Sequence, residues 1–131
     1  MIGIDTNVLV RYLTQDDPVQ AQNATQVIEE GVAQGEVFYI TSIVLCELVW
    51  VLEDAYGYGR GEIQAVLDHI LRTAQFRLDN KEQLWQAFND YQTGRADCSD
   101  YLIGRLDTYA GCAETVTFAT SLRNSPHFRL L

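Results

Sequence analysis

The chain has 131 residues, 47% hydrophobic and 21% charged, with a formal net charge of −9. That is the make-up of a globular protein long enough to bury a core, and no apolar run reaches the roughly 18 residues a membrane helix needs. The acidic balance argues against a protein that coats nucleic acid non-specifically, because such proteins are basic. It does not exclude an RNA enzyme, since a site that gathers carboxylates to hold a cation is itself acidic.

One domain over residues 1–131 is expected. The first residues, Met1-Ile2-Gly3-Ile4-Asp5-Thr6-Asn7, read as a short buried strand that ends in a carboxylate, followed by the start of a helix. They have no basic leader and reach an acid at residue 5, unlike a signal peptide, so a cytoplasmic location is expected. From Asn7 to Thr14, apolar Val8, Leu9, Tyr12 and Leu13 recur at helical spacing. Asp16-Asp17-Pro18 breaks that helix and restarts another through Val32, with proline in its first turn. Val37 to Ile40 is β-branched and aromatic, a second strand. Thr41-Ser42 caps a strong helix from about Ile43 to Tyr56, stopped by Gly57-Tyr58-Gly59.

A further helix is expected from Gly61 to Thr73, then a short strand at Phe76-Arg77-Leu78. Asp79 or Asn80 caps a helix through Tyr91, and Asp97 to Ala110 is the next, ended by Gly111. Thr115 to Phe118 reads as the fourth strand, Thr120 to Asn124 as a short helix, and Phe128 to Leu131 as a last edge strand. Strands alternating with helices predict an α/β fold with a parallel sheet. In such sheets ligands bind at the carboxyl ends of the strands.

The three cysteines, Cys46, Cys98 and Cys112, have no framework spacing, which suits a reducing compartment. Cys98 and Cys112 are 14 residues apart, about 21 Å at helical rise, too far to share a metal. His69 and His127 are isolated and read as structural or surface residues.

The informative residues are acids. Asp5 ends the first strand, where a turn or helix cap is an equal explanation. Glu47 sits beside the apolar stripe of Val44, Leu48 and Val51, where burial would demand a metal or an ion pair with an arginine such as Arg11 or Arg105. Asp100 flanks the face formed by Ile103, Leu106 and Ala110. Its plain explanation is a capping-box arrangement with Asp97 as N-cap. Together, Asp5, Glu47 and Asp100 follow or flank the carboxyl ends of parallel strands. Hard oxygen ligands without a His/Cys cluster select Mg²⁺ or Mn²⁺ over zinc. That set suits metal-assisted phosphodiester hydrolysis. There is no Walker or dinucleotide glycine pattern.

Ile4-Asp5-Thr6-Asn7, Thr41-Ser42 with Glu47, Asp97-Cys98-Ser99-Asp100-Tyr101-Leu102-Ile103 and Val116-Thr117-Phe118 occur in this order along the chain. With them the chain resembles the PIN-domain proteins, and in length and spacing the VapC-type toxins of bacterial toxin–antitoxin pairs. The resemblance implies a three-layer α/β/α sandwich around a parallel sheet. It implies a Mg²⁺- or Mn²⁺-dependent endoribonuclease acting on RNA, often tRNA or ribosomal RNA. It assigns metal binding to Asp5, Glu47 and Asp100, with Asp97 as a supporting acid and Asn7, Ser42 and Thr117 as polar residues that orient the acids. It also implies a homodimer neutralised by a small antitoxin of the VapB kind.

One position departs from the family pattern. The fourth strand usually runs on as Thr-Phe-Asp, and here it reads Thr117-Phe118-Ala119. Ala119 is an inactivating substitution of an aspartate, the mark of a naturally weakened site, or an ordinary strand-end residue. Two other readings therefore stay open. One is a catalytically silent PIN-like module that binds a protein or RNA partner. The other, a small phosphatase of another α/β fold, wants an Asp-x-Asp nucleophile that Asp5-Thr6-Asn7 does not supply.

Overall fold

The computed structural model describes residues 1–131 and divides into two compact units, Met1–Asp79 and Asn80–Leu131. In the first unit the elements are β1 (Ile2–Gly3), α1 (Thr6–Thr14), α2 (Pro18–Ala33), β2 (Phe38–Ile40), α3 (Ser42–Asp54), α4 (Arg60–Arg72) and β3 (Phe76–Leu78). The three strands form one parallel sheet in the order β1-β2-β3. Phe38 stands opposite both Ile2 and Phe76, and Ile40 opposite Leu78.

Parallel neighbours need crossovers, and the helices supply them. Leu9 and Val10 of α1, Ala21, Ala24 and Ile28 of α2, and Leu45, Leu48 and Leu52 of α3 are all buried, as are Phe38 and Ile40 of β2. Gly31 lets α2 lie close to the sheet: a Cβ there would fall 2.4 Å from the Phe38 ring.

The second unit runs α5 (Lys81–Thr93), α6 (Cys98–Ala110), β4 (Thr115–Thr117), a single 3₁₀ turn at Thr120–Leu122, and β5 (Phe128–Leu130). β4 and β5 pair in parallel, with Thr115 opposite Phe128 and Thr117 opposite Leu130. Leu84, Phe88 and Tyr91 of α5 are buried, as are Tyr101 and Leu102 of α6. Arg105 of α6 forms a two-pronged ion pair with Asp90 of α5, at 2.7 and 2.8 Å.

The α/β class, the six helices and the parallel strands match the reading of the sequence. No helix is long and apolar enough to cross a membrane.

Candidate active site

The first unit brings together Asp5 and Glu47, and the residue that joins them is Thr6. Asp5 follows β1 as the N-cap of α1, and its Oδ1 accepts the Thr6 amide proton at 2.7 Å. Thr6 is buried, and its hydroxyl donates to Oε2 of Glu47 at 3.0 Å. Both carboxylates are exposed, so the buried residue holds two solvent-facing acids. The cap explanation for Asp5 is therefore realised, and it leaves Oδ2 free.

Glu47 does not lie beside the core as the Val44–Leu48–Val51 stripe suggested. The buried face of α3 is Leu45, Leu48, Val49 and Leu52, and Glu47 lies about 150° from its centre. α3 is apolar nearly all round, so two adjacent stripes were available, and packing against the rest of the unit selected one of them. The ion-pair explanation for Glu47 also falls away. Arg11 pairs with Asp16 and Arg105 with Asp90, and no ion pair of the chain involves Asp5, Glu47, Asp97 or Asp100.

Asp5, Thr6, Asn7, Arg11, Glu47 and Tyr56 line an open cleft of about 410 Å³, whose remaining walls are Val10, Val51 and Ala55. Asn7 is exposed on the first turn of α1. Ser42 plays a different part. Its backbone N–H and its hydroxyl both donate to Oδ1 of Asp79, at 2.6 and 2.7 Å. Asp79 follows β3 and pins the first turn of the helix that carries Glu47. It does not cap α5, where Asn80 holds the N-cap position.

In the second unit, Asp97 is the N-cap residue of α6, but its side chain makes no capping bond, so the capping box does not form. The Asp97 carbonyl accepts the amide protons of Asp100 and Tyr101, at 3.1 and 3.3 Å. Burial first, and then the Asp97 charge, push the Asp100 carboxyl above its ordinary value of 3.8. Thr117 accepts the Ala119 amide proton at 3.0 Å on its hydroxyl oxygen, which fixes the turn leaving β4. Ala119 precedes the 3₁₀ turn.

Within neither unit do three or more His, Cys, Asp or Glu side chains gather closely enough to hold a metal ion. The donor chemistry nevertheless fits a hard divalent cation: carboxylates, no basic ion-pair partner, and a buried hydroxyl that fixes one of them. The three cysteines form no disulfide, and Cys46 is half-buried, which raises its thiol pKa.

Sequence reasoning missed Thr6 and Asp79. Asp79 carried the same signal as Asp5, an acid directly after a short apolar strand. Thr6 carried only its place between two polar residues of the same motif.

A PIN-domain family model matches residues 2–103. A VapC ribonuclease of Aquifex aeolicus (strain VF5) is 28% identical over 115 residues, which cover 88% of this chain and 84% of that protein. No solved structure gives a significant match. The family match runs from β1, just before Asp5, into the helix that carries Asp100, and the chain belongs to the PIN-domain family.

Proposed function

We propose that this chain is a metal-dependent endoribonuclease and the toxin of a toxin–antitoxin pair. The observation that carries the proposal is the pair of exposed acids, Asp5 and Glu47, both bonded to Thr6 and neither ion-paired. Family membership and the likeness to a VapC ribonuclease support it.

In this reading Asp5, Glu47 and Asp100 hold Mg²⁺ or Mn²⁺, with Asp97 as a supporting acid. The cation supplies a lowered pKa for the attacking water and neutralises charge on the leaving oxygen. Thr6 occupies one oxygen of each of its acids and leaves Oδ2 of Asp5 and Oε1 of Glu47 available as ligands. Asn7, exposed on the first turn of α1, is a polar residue that orients the acids. Ser42 acts through Asp79, by fixing where α3 begins. Thr117 sets the turn on which the family's fourth acid stands, a position filled here by Ala119. The substrate is RNA, of the tRNA or ribosomal RNA class. The partners are a second copy of the chain and an antitoxin of the VapB kind, and the protein works in the cytoplasm.

The test compares RNA cleavage by this chain and by Ala119→Asp, each with Mg²⁺, with Mn²⁺ and with EDTA. Metal-dependent cleavage by the restored form, abolished by adding Asp5→Asn, is the expected result. An inert Ala119→Asp protein on total RNA would replace the proposal with the catalytically silent binding module that Ala119 also favours.

A further inference from the structure

Arg11 is the one basic side chain lining the cleft that contains Asp5 and Glu47. It is held firmly. Its Nε donates to Gln20 at 2.8 Å, and its Nη1 donates to both oxygens of Asp16, at 2.9 and 3.1 Å, and to the Tyr56 hydroxyl at 3.0 Å. The Tyr56 hydroxyl in turn donates to Asp16 at 2.5 Å. That bond first, then those from Thr14 and Arg11, hold the Asp16 carboxyl down to about 2, so it stays ionised under ordinary conditions. The guanidinium is thus held at Nε and at Nη1, while Nη2 has no acceptor in the protein and the side chain is 30% exposed.

A guanidinium held at two nitrogens and open at the third is preorganised for an anionic oxygen, because little rotamer freedom is left to lose. The nearest anion of RNA is a phosphate. Arg11 lies six residues after Asp5, about 9 Å further along α1. A strand with one phosphate at the acids would therefore pass Arg11 with a neighbouring phosphate.

We propose that Arg11 is the phosphate contact of this cleft, binding a backbone phosphate of single-stranded RNA that neighbours the one at Asp5 and Glu47, with Gln20, Asp16 and Tyr56 as its positioning residues. This rests on the ribonuclease reading and adds to it the contact that orients the strand.

The test measures binding of a short, fluorescein-labelled, random-sequence phosphorothioate RNA by anisotropy, in Mg²⁺, over a series of salt concentrations. Arg11→Gln keeps an amide donor for Asp16 and removes the charge. It is expected to weaken binding roughly tenfold and to reduce the salt slope by about 0.7, the share of one phosphate on a single strand. Arg72→Met removes the same charge from α4, where Arg72 pairs with Asp68, and is expected to leave the slope unchanged. Equal slopes for the native chain and Arg11→Gln, or equal losses in Arg11→Gln and Arg72→Met, would overturn the proposal while leaving the ribonuclease reading intact. No binding of RNA by the native chain would overturn both. Should Arg11→Gln fail to fold, the Arg11 Nε–H resonance of the native chain gives the same decision. It is expected to shift on adding the RNA, and an unmoved resonance under saturating RNA refutes the contact.

Discussion

Thr6 donates its hydroxyl proton to Oε2 of Glu47 across 3.0 Å, although the two residues are 41 positions apart in the chain. The donor is buried and the acceptor exposed. The bond therefore does little for the core and much for the direction of the carboxylate. Residues that hold a metal ligand typically change metal affinity by about 10- to 100-fold when removed. Thr6→Val deletes the hydroxyl and keeps the shape. It is expected to lower Mn²⁺ affinity about tenfold in a calorimetric titration, with little change in the thermal midpoint. Thr6→Ser should restore the affinity. A Thr6→Val protein that loses stability while binding Mn²⁺ normally would make the bond purely structural.

The Ser42–Asp79 pair is the structural counterpart. Asp79 takes two protons from one residue, and Ser42 is buried. Asp79→Ala leaves a buried N–H and a buried hydroxyl without an acceptor, at a cost of about 1–3 kcal/mol. Ser42→Ala removes the donor together with its need and should cost less, about 1 kcal/mol. Urea denaturation of the two variants checks the order. Equal losses would mean that the Asp79–amide bond contributes nothing.

In the second unit the turn between α5 and α6 is closed by Tyr101, whose hydroxyl oxygen accepts the amide protons of Arg95 and Ala96 at 3.1 and 3.2 Å. Gly94 leaves room for it: a Cβ there would lie 1.8 Å from that oxygen. Tyr101→Phe is expected to cost about 1–3 kcal/mol by leaving the two amides unpaired, and Gly94→Ala about the same by overpacking. The double variant should lose less than the sum, because removing the oxygen relieves the worst clash. Additive losses in a double-mutant cycle would show that the two do not share this space.

Much of this was readable from the residues. Proline in the first turn of α2, Thr41 before α3 and Gly111 after α6 mark helix ends by backbone chemistry that acts within a few residues, and these boundaries agree with the structure. The acids Asp5 and Glu47 stood out because a carboxylate at a strand end or on an apolar helix needs a reason. Their environment did not stand out. Which stripe of α3 faces inward depends on what packs against it, and Val44 and Val51 are as apolar as Leu45 and Val49. The Thr6–Glu47, Ser42–Asp79 and Arg11–Tyr56 bonds connect residues far apart in sequence, and no local pattern encodes them. The capping box at Asp97 and Asp100 failed for a different reason. Its residues have the right spacing, but the caps that form are backbone bonds to the Asp97 carbonyl, and both carboxylates are left for other use.

That last arrangement makes a prediction with a definite sign. Burial and the Asp97 charge raise the Asp100 carboxyl above its ordinary value of 3.8, so the folded protein binds its proton more tightly than the unfolded chain does. As pH rises through 3.8, the unfolded chain ionises first. Stability then falls until the folded-state value is passed, and stays lower above it. Asp100→Asn removes the charge and is expected to raise the thermal midpoint at neutral pH. The gain should shrink as pH falls toward 3.8 and vanish below it, where the native carboxyl is neutral in both states. Asp97→Asn should recover part of the gain by removing the repulsion alone. The same Asp100→Asn protein should lose Mn²⁺ affinity, since a residue kept at a cost to stability is kept for its chemistry. A lower midpoint for Asp100→Asn at neutral pH would reverse the sign and show that the ionised carboxylate stabilises α6 as an ordinary first-turn acid.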